Sequence, residues 1–295
     1  MPLIPTADLV RDASSAGTAV AAFNVITLEH VEAVVQGADD AAAPVVIQIS
    51  ENAVKFRTGL LLPLARAAAA VAQTAGVGVA LHLDHVTDPD LLHQAADAGF
   101  SSAMFDAGAA AYPDNLARTG EAVEWAHANG LWLEAELGYV GGKPDAPASA
   151  HAAGVRTDPA EARQFVRDTG VDALAVAVGS SHAMTTRTAA LDHELIGELA
   201  AAVPVPLVLH GSSGVPDEEL ARAVDAGMRK INVGTALNVA YTRSVRQALD
   251  SDTAMVDPRK YLAGARSAMA DEVSRLLRTI GTAALKPAAQ GRSAS

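Results

Sequence analysis

The stretch that decides the fold runs from Val77 to Gly99, VGVALHLDHVTDPDLLHQAADAG. Its first part, Val77–Asp84, is a short aliphatic run of the kind that forms a buried strand. Asp88-Pro89 then opens a helix, because an acidic side chain can accept the orphan N–H groups of a first turn and proline has no N–H to satisfy. Gly99 closes that helix with the residue that tolerates a left-handed cap, and a second aliphatic run, Ser102–Asp106, follows at once. The stretch therefore reads as one strand, one helix and a return to the next strand.

The same unit recurs on both sides of it. Val20–Asn24, Val45–Ser50, Val77–Asp84, Ser102–Asp106, Leu131–Leu137, Ala173–Val178, Pro206–His210 and Arg229–Val233 are the expected strands. Asp158-Pro159 and Val215-Pro216-Asp217 repeat the helix opening, and Gly76, Gly130, Gly170 and Gly227 repeat the closure. Eight strand-then-helix units predict an α/β protein built as a closed (β/α)8 TIM barrel. The barrel domain is expected over residues 1–285, with a helical extension at about Pro258–Ile280. The small polar tail, 286–295, reads as disordered. A doubly wound open sheet would carry a glycine-rich turn after its first strand, and Phe23-Asn24-Val25-Ile26-Thr27 has none.

Composition narrows the chemistry. The chain has 295 residues, a formal net charge of −12 and no cysteine. That charge, with no basic stripe, opposes nucleic-acid binding. The lack of cysteine excludes disulfides, thiolate metal sites and cysteine nucleophiles, so any metal must sit on His, Asp or Glu. Met1-Pro2-Leu3-Ile4-Pro5 resembles no leader, and no apolar run reaches the roughly 18 residues of a membrane span. A cytoplasmic protein without a membrane partner is expected.

Catalytic groups of such barrels come from the C-terminal ends of different strands, which converge on one mouth. The polar residues expected there are Asn24, Ser50, Asp84, His85, Asp106, Glu134, Glu136, His182, His210 and Asn232. His85, His182 and His210 follow or end the third, sixth and seventh strands, and three imidazoles with an open fourth position make a catalytic zinc arrangement. Of the remaining histidines, His82 shares a strand face with Asp84 and supports the site from beneath, His30, His93, His127 and His193 read as helix-surface residues, and His151 lies in a long loop. Asp84 reads either as a proton carrier or as a carboxylate that orients an imidazole. Glu134, Glu136 and Asp106 form an acidic wall suited to a second cation or to structural hydrogen bonding. Gly211-Ser212-Ser213-Gly214 and Asn232-Val233-Gly234-Thr235 follow strands seven and eight, where barrels commonly bind phosphate. The connection from Gly138 to about Thr157 is long enough to be a lid.

Ala22-Phe23-Asn24, His82-Leu83-Asp84-His85, Glu134-Ala135-Glu136-Leu137-Gly138, the run Leu174–Gly179 leading to His182, and Leu209–Gly214 occur in the order of a known family. From residue 5 to 280 the chain resembles the class II fructose-bisphosphate and tagatose-bisphosphate aldolases. The resemblance implies that His85, His182 and His210 hold a catalytic Zn2+ and that Asp84 is the proton donor. It implies that Gly211, Ser212, Ser213, Asn232, Val233, Gly234 and Thr235 hold the phosphate of dihydroxyacetone phosphate, with Asn24 and Ala183 also at the substrate and Ser50 near the aldehyde phosphate. Asp106 and Glu136 resemble ligands of an auxiliary divalent ion found in some members. A monovalent cation near the phosphate and a homodimer or homotetramer are further family traits. The implied reaction is reversible cleavage of a ketose 1,6-bisphosphate, with Zn2+ as the electron sink for an enediolate.

The chain departs from the family pattern at Gly141-Gly142-Lys143-Pro144-Asp145, where many members have Gly-Gly-x-Glu-Asp. Proline cannot serve as the base for the C3 proton, so either Asp145 substitutes or the base comes from elsewhere. Ser181-His182-Ala183 also differs, since members often have glycine after the histidine. Three rival readings remain at this level. One is a Schiff-base aldolase using Lys230, the one lysine on a strand. Another is a non-catalytic relative that binds zinc and sugar phosphate. The third is the same chemistry on another phosphorylated ketose.

Overall fold

The computed structural model describes residues 3–138, 156–181 and 184–281. Its strands are β1 (Val20–Asn24), β2 (Val45–Ser50), β3 (Val79–Val86), β4 (Ser102–Phe105), β5 (Trp132–Leu137), β6 (Ala173–Val176), β7 (Leu207–Leu209) and β8 (Met228–Val233). Each pairs in parallel with its sequence neighbours, and β1 also pairs with β8, so the eight strands close into a barrel. All eight expected strands are present, with helices between them. The principal difference is at β3, which runs on to Val86 rather than ending at Asp84. It does so across an irregularity between Leu83 and Val86 that lets Val86 pair with Phe105 of β4.

Alternation along the strands separates two apolar layers. Ala21, Phe23, Val45, Ile47, Leu81, Leu83, Leu133 and Ala135 join the core between the strands and the outer helices. Val20, Ala22, Val46 and Ala80 instead fill the lower barrel interior against Leu9 and Val10. Leu9 and Val10 belong to the helix Thr6–Ala16, which caps the N-terminal end of the barrel. Above that layer the interior turns polar. Gln48, His82, Glu134 and Lys230 are fully buried, and a fully buried ionisable group must be paired to be tolerated.

The last helix, Pro258–Gly281, lies against the helices Leu28–Ala41 and Thr235–Ser251. At Gly37 a side chain would come within 2.5 Å of the Ala270 carbonyl, so glycine is what permits this approach. The helix Thr235–Ser251, which follows β8, removes one helix position from solvent. His30, expected at the surface, is buried. Its Nδ1 pairs with Thr27 Oγ1 at 3.0 Å and its Nε2 with Asn238 Oδ1 at 3.1 Å, and its ring stacks on Tyr241. The tail 286–295 lies outside the described residues. No described helix is long and apolar enough to cross a membrane.

Candidate active site

A cavity of about 540 Å³ opens at the C-terminal ends of the strands, a volume that suits a small phosphorylated sugar. Asn24, Ser50, Asp84, His85, Asp106, His210, Gly211, Ser213, Asn232, Gly234 and Thr235, all expected from sequence, line it. A cavity of about 400 Å³ at the opposite end has neither histidine nor carboxylate in its lining. The chemistry is therefore at the mouth.

The site is built from the polar layer upward. Lys230 Nζ donates to Gln48 Oε1, Glu134 Oε2 and Asn232 Oδ1, each at 2.8 Å. All three N–H bonds of the ammonium are used, and a Schiff base needs a neutral amine with a free lone pair. Glu134 Oε1 lies 2.8 Å from His210 Nε2, fixing the ring and leaving Nδ1 on the side of Glu136, 3.7 Å from Oε2. The acidic wall thus divides by role. Glu134 is tied to Lys230 and His210, while Asp106 and Glu136 gather with His85.

Gln48 Nε2 donates to Asn24 Oδ1 at 3.2 Å, and Asn24 Nδ2 donates to Asp84 Oδ2 at 2.7 Å. Asp84 is thereby oriented through one oxygen. Its other oxygen, Oδ1, is buried and has no hydrogen-bond partner among the described residues. His82 lies beneath, with Nδ1 2.8 Å from Ser102 Oγ. Burial, reinforced by the charge of Lys230, lowers its pKa well below the ordinary value of 6.5, so the ring is neutral.

His85 requires a backbone exception. Strand alternation would send its side chain away from Asp84, but its φ is 50°, a left-handed value rare for a residue with a Cβ. The β3 irregularity and this left-handed step turn His85 toward the mouth beside Asp84. Its Nδ1 is 3.1 Å from Asp106 Oδ2. Burial disfavours its charged form, but Asp84, the bond to Asp106 and the charge of Glu136 outweigh burial and raise its pKa to about 9.

Asp84, His85 and His210 place ligand atoms within 4.8 Å of one another, as do His85, Asp106 and Glu136. Two imidazoles, each held through one nitrogen by a carboxylate, with a buried carboxylate oxygen beside them that has no hydrogen bond among the described residues, fit a divalent ion. His182 and Ala183 lie outside the described residues, as do Pro144, Asp145 and His151.

The two phosphate-type loops meet across the mouth. Gly211 has φ 66°, and a Cβ there would lie 2.6 Å from the Ser181 backbone, so only glycine fits. Ser213 Oγ accepts the Ala236 N–H at 3.1 Å. Gly234 and Thr235 begin the 17-residue helix Thr235–Ser251, whose N-terminus faces the cavity. Ser212 and Val233 do not line the cavity. The Ser212 hydroxyl is buried and donates to the Asn232 carbonyl at 2.5 Å, while Val233 turns into the helix-facing core. Sequence reading missed Glu51, Lys55 and Thr87 in the lining. The Glu51–Lys55 spacing of four was the available signal, but it is equally common on solvated helices.

The family model described as "Fructose-bisphosphate aldolase class-II" matches residues 4–284. A fructose-bisphosphate aldolase of Staphylococcus aureus is 36% identical over 284 residues, covering 96% of this chain and 98% of that protein. The chain belongs to the class II fructose-bisphosphate aldolase family. It is an aldehyde-lyase, and its substrates are small phosphosugars. The crystal structure of the YdjI aldolase from Escherichia coli superimposes with a TM-score of 0.81 at 31% identity, covering 95% of this chain and 97% of that one. The fructose-bisphosphate aldolase of Campylobacter jejuni, 22% identical, shares the fold with a TM-score of 0.80 over 94% of this chain and 95% of that one.

Proposed function

We propose that this aldolase catalyses the zinc-dependent, reversible cleavage of a ketose 1,6-bisphosphate, foremost fructose 1,6-bisphosphate, to dihydroxyacetone phosphate and glyceraldehyde 3-phosphate. The observation that carries the proposal is the convergence of Asp84, His85 and His210 in one cavity with the Gly211–Ser213 and Gly234–Thr235 loops. His85, His182 and His210 would hold a zinc ion, which would supply Lewis acidity where negative charge develops on the ketose.

The chain's own residues do the remainder. Backbone N–H groups of the two loops and the N-terminus of the helix Thr235–Ser251 bind the proximal phosphate dianion. In cleavage, Asp84 Oδ1 accepts the proton of the C4 hydroxyl, and in condensation it returns a proton to the aldehyde oxygen. Asn24 and Gln48 hold that carboxylate in place through Oδ2, and Glu134 and Asp106 fix the two imidazoles. Asp106 and Glu136, which gather beside His85, would hold an auxiliary divalent ion.

The test is cleavage of fructose and tagatose 1,6-bisphosphates, followed by coupled reduction of the triose phosphates. Activity should vanish in chelator and return with zinc. Asp84→Ala should lower turnover by about 100-fold or more, the scale of a lost general acid–base group, while bound zinc stays stoichiometric. A zinc-loaded wild-type protein inactive on every ketose phosphate tried would overturn the reading.

A further inference from the structure

The cavity of about 400 Å³ at the N-terminal end of the barrel has a chemistry of its own. It lies between the helix Thr6–Ala16, the first residue of β5 and the turns that lead into β7 and β8. Among the described residues its charged lining is Arg11 and Arg229 alone, in a chain whose formal net charge is −12. Most of the remaining lining is apolar, with Val10, Val203 and Leu207 as walls and the rings of Trp132, Pro204 and Pro206 between them. A volume of this size suits a small organic molecule. Two cations with no carboxylate in the lining suit an anionic one.

Arg229 is the fixed part. Half-buried near the start of β8, it donates from Nη1 to the Val224 carbonyl at 2.9 Å and to the Met228 carbonyl at 2.8 Å. Those two bonds use both protons of that nitrogen and set the guanidinium plane. The edge formed by Nε and Nη2, which can grip a carboxylate through two parallel hydrogen bonds, has no partner among the described residues. Burial alone lowers the Arg229 pKa, with no neighbouring carboxylate to offset it. A partly desolvated cation in this state is stabilised by an anion that enters the cavity. Arg11 differs. Its side chain is 66% exposed and pairs with Asp8 at 2.7 Å, a surface contact that contributes little and is readily exchanged for a ligand.

Trp132 supplies the surface for a ring. It shares a strand face with Glu134, two residues on. It packs against the lower barrel layer of Val20, Ala22, Val46 and Ala80, and against Ala175 and Val208. The indole is therefore held from the barrel side and borders the cavity on the other. That apolar layer and the Lys230 layer above it separate the cavity from the mouth, so a ligand here leaves the mouth open to substrate.

We propose that this cavity is a second small-molecule site, which takes a planar aromatic carboxylate, its charge on Arg229 and Arg11 and its ring on Trp132. The proposal does not depend on the aldolase reading. Trp132 is one of two tryptophans, so the other serves as an internal control. The indole N–H signals of the isotope-labelled, zinc-loaded protein are followed by NMR during titration with trans-cinnamate, with cinnamamide as the uncharged counterpart. Trp125→Phe assigns the two signals. The Trp132 signal should move and saturate while that of Trp125 stays, with a Kd of about 1 mM or tighter. Cinnamamide should bind about tenfold more weakly or worse, and Arg229→Met should weaken cinnamate to the same degree, the scale of a charge-assisted hydrogen bond. Arg229→Lys, which keeps the charge without the fork, should weaken it less than the methionine variant. Ala200→Phe, which fills the cavity from the helix His193–Ala202, should abolish the shift. Saturating dihydroxyacetone phosphate should leave the cinnamate affinity unchanged. A Trp132 signal that does not move, equal binding of cinnamamide, full affinity in Arg229→Met, or displacement by dihydroxyacetone phosphate would each overturn the proposal. The amide comparison uses the unaltered chain, so it decides even where a variant fails to fold.

Discussion

Replacing Lys230 with methionine tests whether the polar layer beneath the site is a support or a nucleophile. The ammonium is fully buried and makes three 2.8 Å bonds, one of them to the buried Glu134 carboxylate. Methionine fills similar space but leaves three oxygens without that donor and one negative charge without its partner. Breaking a buried ion pair from one side costs about 3–5 kcal/mol, and three lost bonds at about 1–1.5 kcal/mol each give the same figure. In thermal unfolding that corresponds to a fall in midpoint of about 5–8 °C for a domain of this size. The measurement is circular dichroism of the chelated protein at pH 7, so that metal binding does not contribute. Lys230→Met/Glu134→Gln should recover about half the loss or more, because the glutamine carries no unpaired charge and can still accept from His210. A single variant within about 1 kcal/mol of wild type, the ordinary range of an unremarkable substitution, would refute the structural role, as would a double variant no more stable than the single. The folded single variant, saturated with zinc, should keep measurable turnover. Complete loss of turnover, with borohydride trapping of substrate on the wild type, would revive the Schiff-base reading.

Two other predictions address the mouth. Gly211→Ala forces a Cβ onto the Ser181 backbone at a φ of 66° and should cost about 1–3 kcal/mol. Calorimetry should show weakened binding of dihydroxyacetone phosphate along with the lower melting point. The metal-free protein should be most stable near pH 6.5 in urea unfolding. His85 titrates at about 9 in the folded state, so its stabilising charge is fully present below 6.5 and is lost as the pH rises toward 9, worth about 3 kcal/mol at most. His30 and His82 have lowered values, so the unfolded chain takes up protons first and stability falls as the pH drops below 6.5. Zinc binding at pH 7.5 should release about one proton from His85, and an unchanged alkaline limb in His85→Asn would contradict this assignment.

The barrel was legible because each strand carries its own signal. Short aliphatic runs, acid-proline openings and glycine closures need no knowledge of the rest of the chain. Strand ends were legible for a related reason, since alternation places His82 with Asp84 and Glu134 with Glu136. The polar layer was not legible. Lys230 meets Gln48 across 182 residues and Glu134 across 96, and only barrel closure and strand stagger bring such positions level. His30 was misplaced for another long-range reason. Asn238, 208 residues along the chain, and Tyr241 cover it from the helix Thr235–Ser251.

His85 shows most clearly how a residue of the cavity can be reached by incomplete reasoning. Ending β3 at Asp84 freed His85 to turn anywhere, so its place at the mouth looked easy. With β3 continuing to Val86, it is not easy. A left-handed residue with a Cβ costs about 1–2 kcal/mol, and it persists only where the surroundings hold it. Here they do so on every side. Val86 pairs with Phe105, Glu51 holds the backbone of Thr87 and Asp88, and Asp106 holds the ring. The same Glu51 presents Lys55 to the cavity. One buried carboxylate thus fixes the strand end that carries a candidate metal ligand. Loosening Glu51, as in Glu51→Ala, should therefore weaken metal affinity in a zinc titration, and an unchanged affinity would refute this coupling.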